Sequence, residues 1–479
     1  MVDGDRVTSY GQLAAHSLGI AGALRARGVE PGQRVAILLP RGAAAAAAFF
    51  GVLAGGGAAV QVNESLRSRQ IEHILDHSGA TLLLASPDLL RRLPRRLDTG
   101  AAVLEIDELP GSGDAEPVPR VGGDVAHIIY TSGSTGLPKG VTISHANLWA
   151  GMAAVVSYVG ISASDRIASL LPFSFDYGLN QLLCCAGTGA TLVVERSPIP
   201  HRIVDTLAAE EVSVLPAVPP LWLQLLGVEA FTTTRLPSLR AMTNTGGRLP
   251  VHAVRTLRRC QPHADLVLMY GLTEAFRSTF LSPDRVDRKP DSIGQAIPGA
   301  EILVLDDDLQ PCKPGVTGQL VHRGATVALG YWDDPVATSQ VFRSHLLRPS
   351  GAPDTERVVF SGDLVRQDEE GDLFFVSRED HLIKTMGYRV SPDEVAEVLY
   401  LSGEVVEAIV TSEEDETRGA RIVAYVVLTD GGRADRLKAF CARELPRYMQ
   451  PSRIEVRSAL SRTPSGKYDA AATARGADR

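Results

Sequence analysis

From residue 10 to about residue 305 the chain alternates helical and strand-like apolar patterns. That rhythm confines it to an α/β architecture with largely parallel sheets. It predicts a helix over 10–27, a strand over 34–39, and an Ala-rich helix after that. Strand patterns recur at 125–130, 141–144, 191–194, 265–269 and 302–305, with Pro and Gly in the loops, as at Glu30-Pro31-Gly32. The last hundred residues break the rhythm. Ser391-Pro392-Asp393-Glu394 is a capping box with Pro at the first helical position, opening a helix through about Leu401. Strands at 405–411 and 421–428 follow, joined by an acidic loop over 412–418. A helix over 434–445 then puts Leu437, Phe440, Cys441 and Leu445 on one face. The expected organisation is a large α/β domain, 1–379, and a small α+β domain, 380–479.

Composition narrows the function classes. A chain of 479 residues exceeds a typical single domain. A net charge of −8 gives no electrostatic reason to expect nucleic acid or an anionic membrane as partner. The uncharged stretch 42–60 is dominated by Ala and Gly, which enter lipid weakly, so a buried helix is expected there. The opening MVDGDRVTSY is polar, unlike a secretory signal. Five cysteines (Cys184, Cys185, Cys260, Cys312, Cys441) show no metal-binding spacing, and a reducing cytoplasm is the expected location. Of 48 basic residues only six are Lys. A position that keeps Lys in so Arg-rich a chain points to a need for a compact ammonium, and Lys139, Lys384 and Lys467 all fall in the motifs below.

The stretch 130–140 reads YTSGSTGLPKG, directly after a strand pattern. Its glycines let backbone N–H groups turn toward a polyphosphate, while hydroxyls and Lys139 add donors. The spacing is not that of a Walker A loop. The segment resembles the phosphate loop of the adenylate-forming superfamily: acyl-CoA synthetases, amino-acid adenylation domains and luciferases. Further motifs similar to that family follow in order: MYGLTE at 269–274, GQL at 318–320 through GYW at 330–332, FSGDL at 360–364, SRED at 377–380 through GYRV at 387–390, and TPSGK at 463–467. Through LPFSFDYGLN at 171–180, YGLTEAFRST at 270–279 and HLIKTMGYRVSP at 381–392, the chain looks nearest to exosortase-associated AMP-forming acyl-CoA ligases and free-standing adenylation enzymes. Beside that family it begins at about the first strand pair, without the usual leading helix, and Ser361 stands where Thr is usual.

The resemblance implies a layered α/β amino-terminal domain, a mobile carboxy-terminal domain, and two half-reactions at one site. It implies ATP and Mg²⁺, with CoA or a carrier protein's phosphopantetheine as acceptor. Lys467, Thr273 and Glu274 are the implied catalytic set, Glu274 also holding the metal. Thr131, Ser132, Ser134, Thr135 and Lys139 are implied at the phosphates, and Tyr270, Gly271, Gly246 and Gly247 at the adenine. Asp363 and Arg378 are implied at the ribose. Asp380 is the implied hinge, with Lys384 and Gly387 on the loop that admits the thiol arm.

For the acid, the stretch 171–180 (LPFSFDYGLN) is expected to line the pocket through Phe175, Asp176, Tyr177 and Asn180. A buried carboxylate at Asp176 needs a partner. Either a substrate ammonium, as in amino-acid adenylation domains, or a protein cation or backbone donor can fill that need. Trp222 and Met242 are pocket candidates that serve equally as core. The expectation is a ligase that activates an amino-bearing acid and passes it to an acyl or peptidyl carrier protein, as a monomer or homodimer. Transfer to free CoA is the alternative, and a non-catalytic binding protein on the same fold is the reading from another class.

Overall fold

The computed structural model describes residues 1–93, 96–131, 138–345, 351, 353, 355–378, 383–385, 388–415, 419–445 and 447–476. Two large sheets dominate. The seven-stranded sheet runs Gly330–Tyr331, Lys139–Ser144, Val125–Thr131, Ala58–Gln61, Arg34–Leu38, Leu82–Ala85, Ala102–Glu105. Its last five members are parallel. The nine-stranded sheet has a parallel centre, with Asp265–Tyr270, Ala241–Asn244, Val214–Ala217, Arg166–Ser169 and Thr191–Val194 side by side.

One continuous apolar core lies between the two sheets. It joins Val35 and Ile37 of the first to Ile167 and Leu192 of the second through the helices Ala43–Ala54, His145–Val159 and Asp176–Thr188. The Ala-rich stretch is thus an interior helix, as its composition implies: small side chains let it approach its neighbours closely. Among the described residues no helix is long and apolar enough to cross a membrane.

A third, antiparallel sheet pairs Ala300–Leu305, Thr317–Gly324, Arg357–Gln367 and Phe342–Ser344, with Leu373–Arg378 against the long strand. The carboxy-terminal part is separate: a two-stranded ribbon, Ile383–Thr385 with Tyr388–Val390, and a three-stranded sheet with its own core around Val395, Leu399, Ala424 and Leu437. The fold is therefore mixed α/β with a large amino-terminal and a small carboxy-terminal unit. Ser391 caps the helix Pro392–Leu401 by accepting from the Glu394 N–H.

The expected acidic loop differs. The hairpin strands run Val405–Asp415 and Gly419–Leu428, because Glu413 pairs with Arg421 and Arg453 across the sheet. Opposite charges facing one another let the polar segment continue as strand. Trp222 and Met242, both fully buried, belong to the core of the second sheet rather than to a pocket.

Candidate active site

Parallel strands present their carboxyl ends to one edge, where ligands bind in α/β proteins. Here that edge carries three of the expected motifs. The strand Ala241–Asn244 ends at Thr245-Gly246-Gly247, Asp265–Tyr270 ends in the MYGLTE motif, and Arg166–Ser169 leads to the loop before the helix Asp176–Thr188.

Lys467 reaches this edge from the carboxy-terminal unit. The TPSGK segment is a tight turn: the Gly466 N–H donates to the Thr463 carbonyl at 2.9 Å, and the Thr463 N–H to the Lys467 carbonyl at 2.7 Å. Asn63 Nδ2 of the amino-terminal unit donates to the Pro464 carbonyl at 3.1 Å. The Lys467 Nζ lies 5.3 Å from the Phe175 ring centroid. Its stem crosses Gly246, where an added Cβ would stand 3.2 Å from Lys467 Cε. Gly246, expected at the adenine, thus packs against the lysine stem and Phe175. Gly247 lies against Pro219.

The expected ribose and adenine residues meet. Asp363 and Arg378 are paired in register on neighbouring strands, with Arg378 Nε 3.7 Å from Asp363 Oδ1. The Tyr270 hydroxyl donates to Asp363 Oδ2. Burial and then that carboxylate push the Tyr270 phenol well above its ordinary pKa, so it stays a donor. Ser361 Oγ accepts from the Asp363 N–H at 3.0 Å and donates to the Leu320 carbonyl at 2.7 Å, which holds Asp363 in place. Gly271 packs on Arg277, whose Cα an added Cβ would meet at 3.1 Å.

Thr273 and Glu274 sit on the one-turn helix Thr273–Ala275. Glu274 accepts from the Tyr331 hydroxyl at 2.6 Å. Lys139 stands 5.5 Å over the Tyr331 ring and 3.9 Å from Asp334. Thr131 ends its strand paired to Lys139. Ser132, Ser134, Thr135, Asp380 and Gly387 lie outside the described residues. Lys384 falls on the strand Ile383–Thr385, with its side chain outside them.

The acid segment is buried. Tyr177 edges Phe175, centroids 6.4 Å apart, and its hydroxyl bonds Thr243 Oγ1 at 2.5 Å. Asn180 Oδ1 accepts from Cys184 Sγ at 3.5 Å. Behind Tyr177 lies a small cavity lined by Val155, Ile167, Asn180, Gln181, Thr243 and Met269. Asp176 is not left unpartnered: its Oδ1 accepts from the Tyr177 N–H at 2.7 Å, and Arg277 Nη1 lies 3.5 Å from Oδ2. Of the two alternatives expected for it, the protein cation and backbone donor are therefore present. The sequence reading missed Arg277, Tyr331 and Asn63. An Arg inside the otherwise uncharged run AFRSTFL at 275–281 was the visible signal for the first.

A lysine brought to the edge that carries Tyr270, Asp363 and Arg378, with a small buried cavity behind Tyr177, fits an acid-activating, nucleotide-dependent ligase. Family models agree: residues 1–332 match that of the AMP-binding enzymes and residues 394–467 that of the AMP-binding enzyme C-terminal domain. The chain belongs to the AMP-binding enzyme family and is an AMP-forming ligase. It is 30% identical over 494 residues to novobiocin biosynthesis protein H of Streptomyces niveus, covering 98% of this chain and 79% of that protein. Tyrocidine synthase 3 of Brevibacillus parabrevis is 31% identical over 96% of this chain, which spans only 7% of that far longer protein. The solved structure of o-succinylbenzoate coenzyme A synthetase (MenE) from Bacillus subtilis, in complex with ATP and magnesium ion, matches with TM-score 0.83 and 27% identity, covering 97% of this chain and 94% of that one.

Proposed function

We propose that this ligase activates an amino-bearing carboxylic acid as its acyl-adenylate and passes it to the phosphopantetheine thiol of a carrier protein. The acid's carboxylate oxygen attacks the α-phosphorus of ATP, the mixed anhydride forms and pyrophosphate leaves. The thiolate sulfur then attacks the acyl carbon, and AMP leaves as the thioester forms. Two anions meet in the first step, so a cation between them lowers its barrier. Lys467 takes that role, and its position over Phe175 is the observation that carries the reading.

Thr273 donates to the α-phosphate. Thr131, Ser132, Ser134, Thr135 and Lys139 hold the outer phosphates. Tyr270 and Gly271 face the adenine, with Gly247 opposite, and Asp363 with Arg378 holds the ribose. Glu274 holds Mg²⁺, which when bound offsets phosphate charge. Among the described residues no cluster of three His, Cys, Asp or Glu could hold a metal ion. Mg²⁺ is a hard ion that a single carboxylate such as Glu274 would hold together with phosphate oxygen. Phe175, Asp176, Tyr177 and Asn180 line the acid pocket, an ammonium on the acid lying against Asp176. We place the domain boundary between residues 379 and 380, with Asp380 as pivot and Lys384 and Gly387 beside the thiol arm in the second half-reaction.

Similarity to tyrocidine synthase 3 supports a carrier-protein acceptor, and similarity to a coenzyme A synthetase supports the second reading, free CoA. Offering phosphopantetheinylated carrier protein and CoA side by side, after adenylation in an ATP–pyrophosphate exchange assay, separates them. Thioester on the carrier is expected. Turnover with CoA alone rejects the first acceptor.

A further inference from the structure

Arg277 is 1% exposed, in the buried run between the turn Thr273–Ala275 and the strand Thr279–Leu281. Its Nη1 donates to the Phe276 carbonyl at 2.6 Å and stands 3.5 Å from Asp176 Oδ2. That is well beyond the roughly 2.7–2.9 Å of a charge-assisted bond. Its Nε and Nη2 have no hydrogen-bond partner among the described residues. These two nitrogens form one edge of the guanidinium, the parallel pair of donors that a carboxylate takes bidentately. A counter-ion for Asp176 alone would turn that edge toward the aspartate, since a buried cation with half its donors unmet is expensive.

The arginine also stands in the right place. Its guanidinium carbon lies 5.0 Å from the Tyr177 ring centroid, Tyr177 edges Phe175, and Phe175 carries Lys467. Arg277 is thus at the far end of the row of pocket side chains that begins at the lysine. On the next turn of the helix that carries Tyr177, Asn180 Nδ2 and both amide atoms of Gln181 are likewise buried without partners among the described residues. Asn180 and Gln181 line the small cavity behind Tyr177, so unmet polar atoms stand among its mostly apolar walls.

We infer that the activated acid carries a second carboxylate, received by the Nε–Nη2 edge of Arg277 while the reacting carboxylate reaches Lys467. The inference rests on the acid-pocket assignment proposed above. With an ammonium on the same molecule set against Asp176, the side chains and the substrate together carry no net charge. A neutral amino acid leaves one positive charge over, and a plain dicarboxylic acid one negative. An acidic amino acid or a longer amino-dicarboxylate is the class that balances the site.

The test is acid-dependent ATP–pyrophosphate exchange with matched acids: amino-dicarboxylates of increasing spacer length, their side-chain amides, and the same diacids without the amino group. The wild-type enzyme is expected to favour a diacid over its amide by about a hundredfold or more in kcat/KM, as for a buried polar site facing an analogue that leaves it unpaired. In Arg277→Gln, and in Asp176→Asn/Arg277→Gln where no aspartate is orphaned, diacid and amide should draw level. Arg277→Lys, with charge but no fork, should recover part of the preference. Silence toward every diacid, or a wild-type preference for the amide, overturns the inference without any variant. Equal losses on diacid and amide in both variants overturn it as well. Diacids accepted equally with and without the amino group leave Arg277 its role and overturn instead the ammonium reading of Asp176.

Discussion

Gly246→Ala separates the lysine's position from general stability. Gly246 has φ +82°, where a Cβ costs roughly 1–2 kcal/mol of backbone strain. The new Cβ would also stand 3.2 Å from both Lys467 Cε and Val218 Cγ1, and 3.5 Å from Phe175 Cζ. Carbon atoms pack at about 3.5–4.0 Å, so the lysine stem must move by a few tenths of an ångström. If a 1 Å misplacement costs on the order of 10²-fold, that shift should lower kcat for pyrophosphate exchange about three- to tenfold. Gly160→Ala is the control. Gly160 caps the helix His145–Val159 at φ +67°, with nothing within 4 Å of the added Cβ, so it carries the strain without the contact. Both variants should lose a few °C in Tm at most, and only Gly246→Ala should slow exchange. Equal exchange rates in the two, or equal losses in exchange and in thiol transfer from preformed acyl-adenylate, would refute the contact argument.

Three further predictions concern buried and half-buried side chains. His127 is fully buried, neither ring nitrogen has a partner among the described residues, and burial pushes its pKa from 6.5 down to about 3. The unfolded chain binds that proton below about pH 6.5 and the folded one does not, so stability falls as pH drops through this range, by about 1.4 kcal/mol per pH unit. His127→Leu should therefore gain about 2 kcal/mol more over wild type at pH 5 than at pH 8 in urea unfolding, and a pH-independent gap would contradict this. Asp363→Asn should raise the KM for ATP about 10- to 100-fold, as for a lost bond to a charged group, with little change in Tm; an unchanged KM removes Asp363 from the nucleotide site. Tyr331→Phe deletes the donor to Glu274 and should raise the half-saturating Mg²⁺ concentration about tenfold, which a magnesium titration of exchange reads directly.

Much of this fold was legible because periodicity and punctuation are local signals. The helix expected over 10–27 spans Tyr10–Ala26, and the one expected from Pro392 ends at Leu401. The hairpin after it is longer than its sequence pattern implies, because a polar run reads as loop. Cross-strand pairs such as Glu413 with Arg421 are contacts that no local pattern reveals. The site divides in the same way. Tyr270, Asp363 and Arg378 sit in recognisable motifs, and the fold brings them together. Arg277 lies 101 residues from Asp176, so its meeting with Asp176 exists only in three dimensions. Gly246 could be read as a wall of the nucleotide site, but not as the surface on which the lysine stem rests.

The account turns on whether the Lys467 ammonium, held over Phe175, joins acid to nucleotide. Lys467→Ala, assayed for acid-dependent pyrophosphate exchange and separately for thiol transfer from synthetic acyl-adenylate, tests this most directly. Loss of exchange by about 10²-fold or more, with ATP affinity within a few-fold of wild type and transfer retained, is the predicted result. Exchange at the wild-type rate would contradict it.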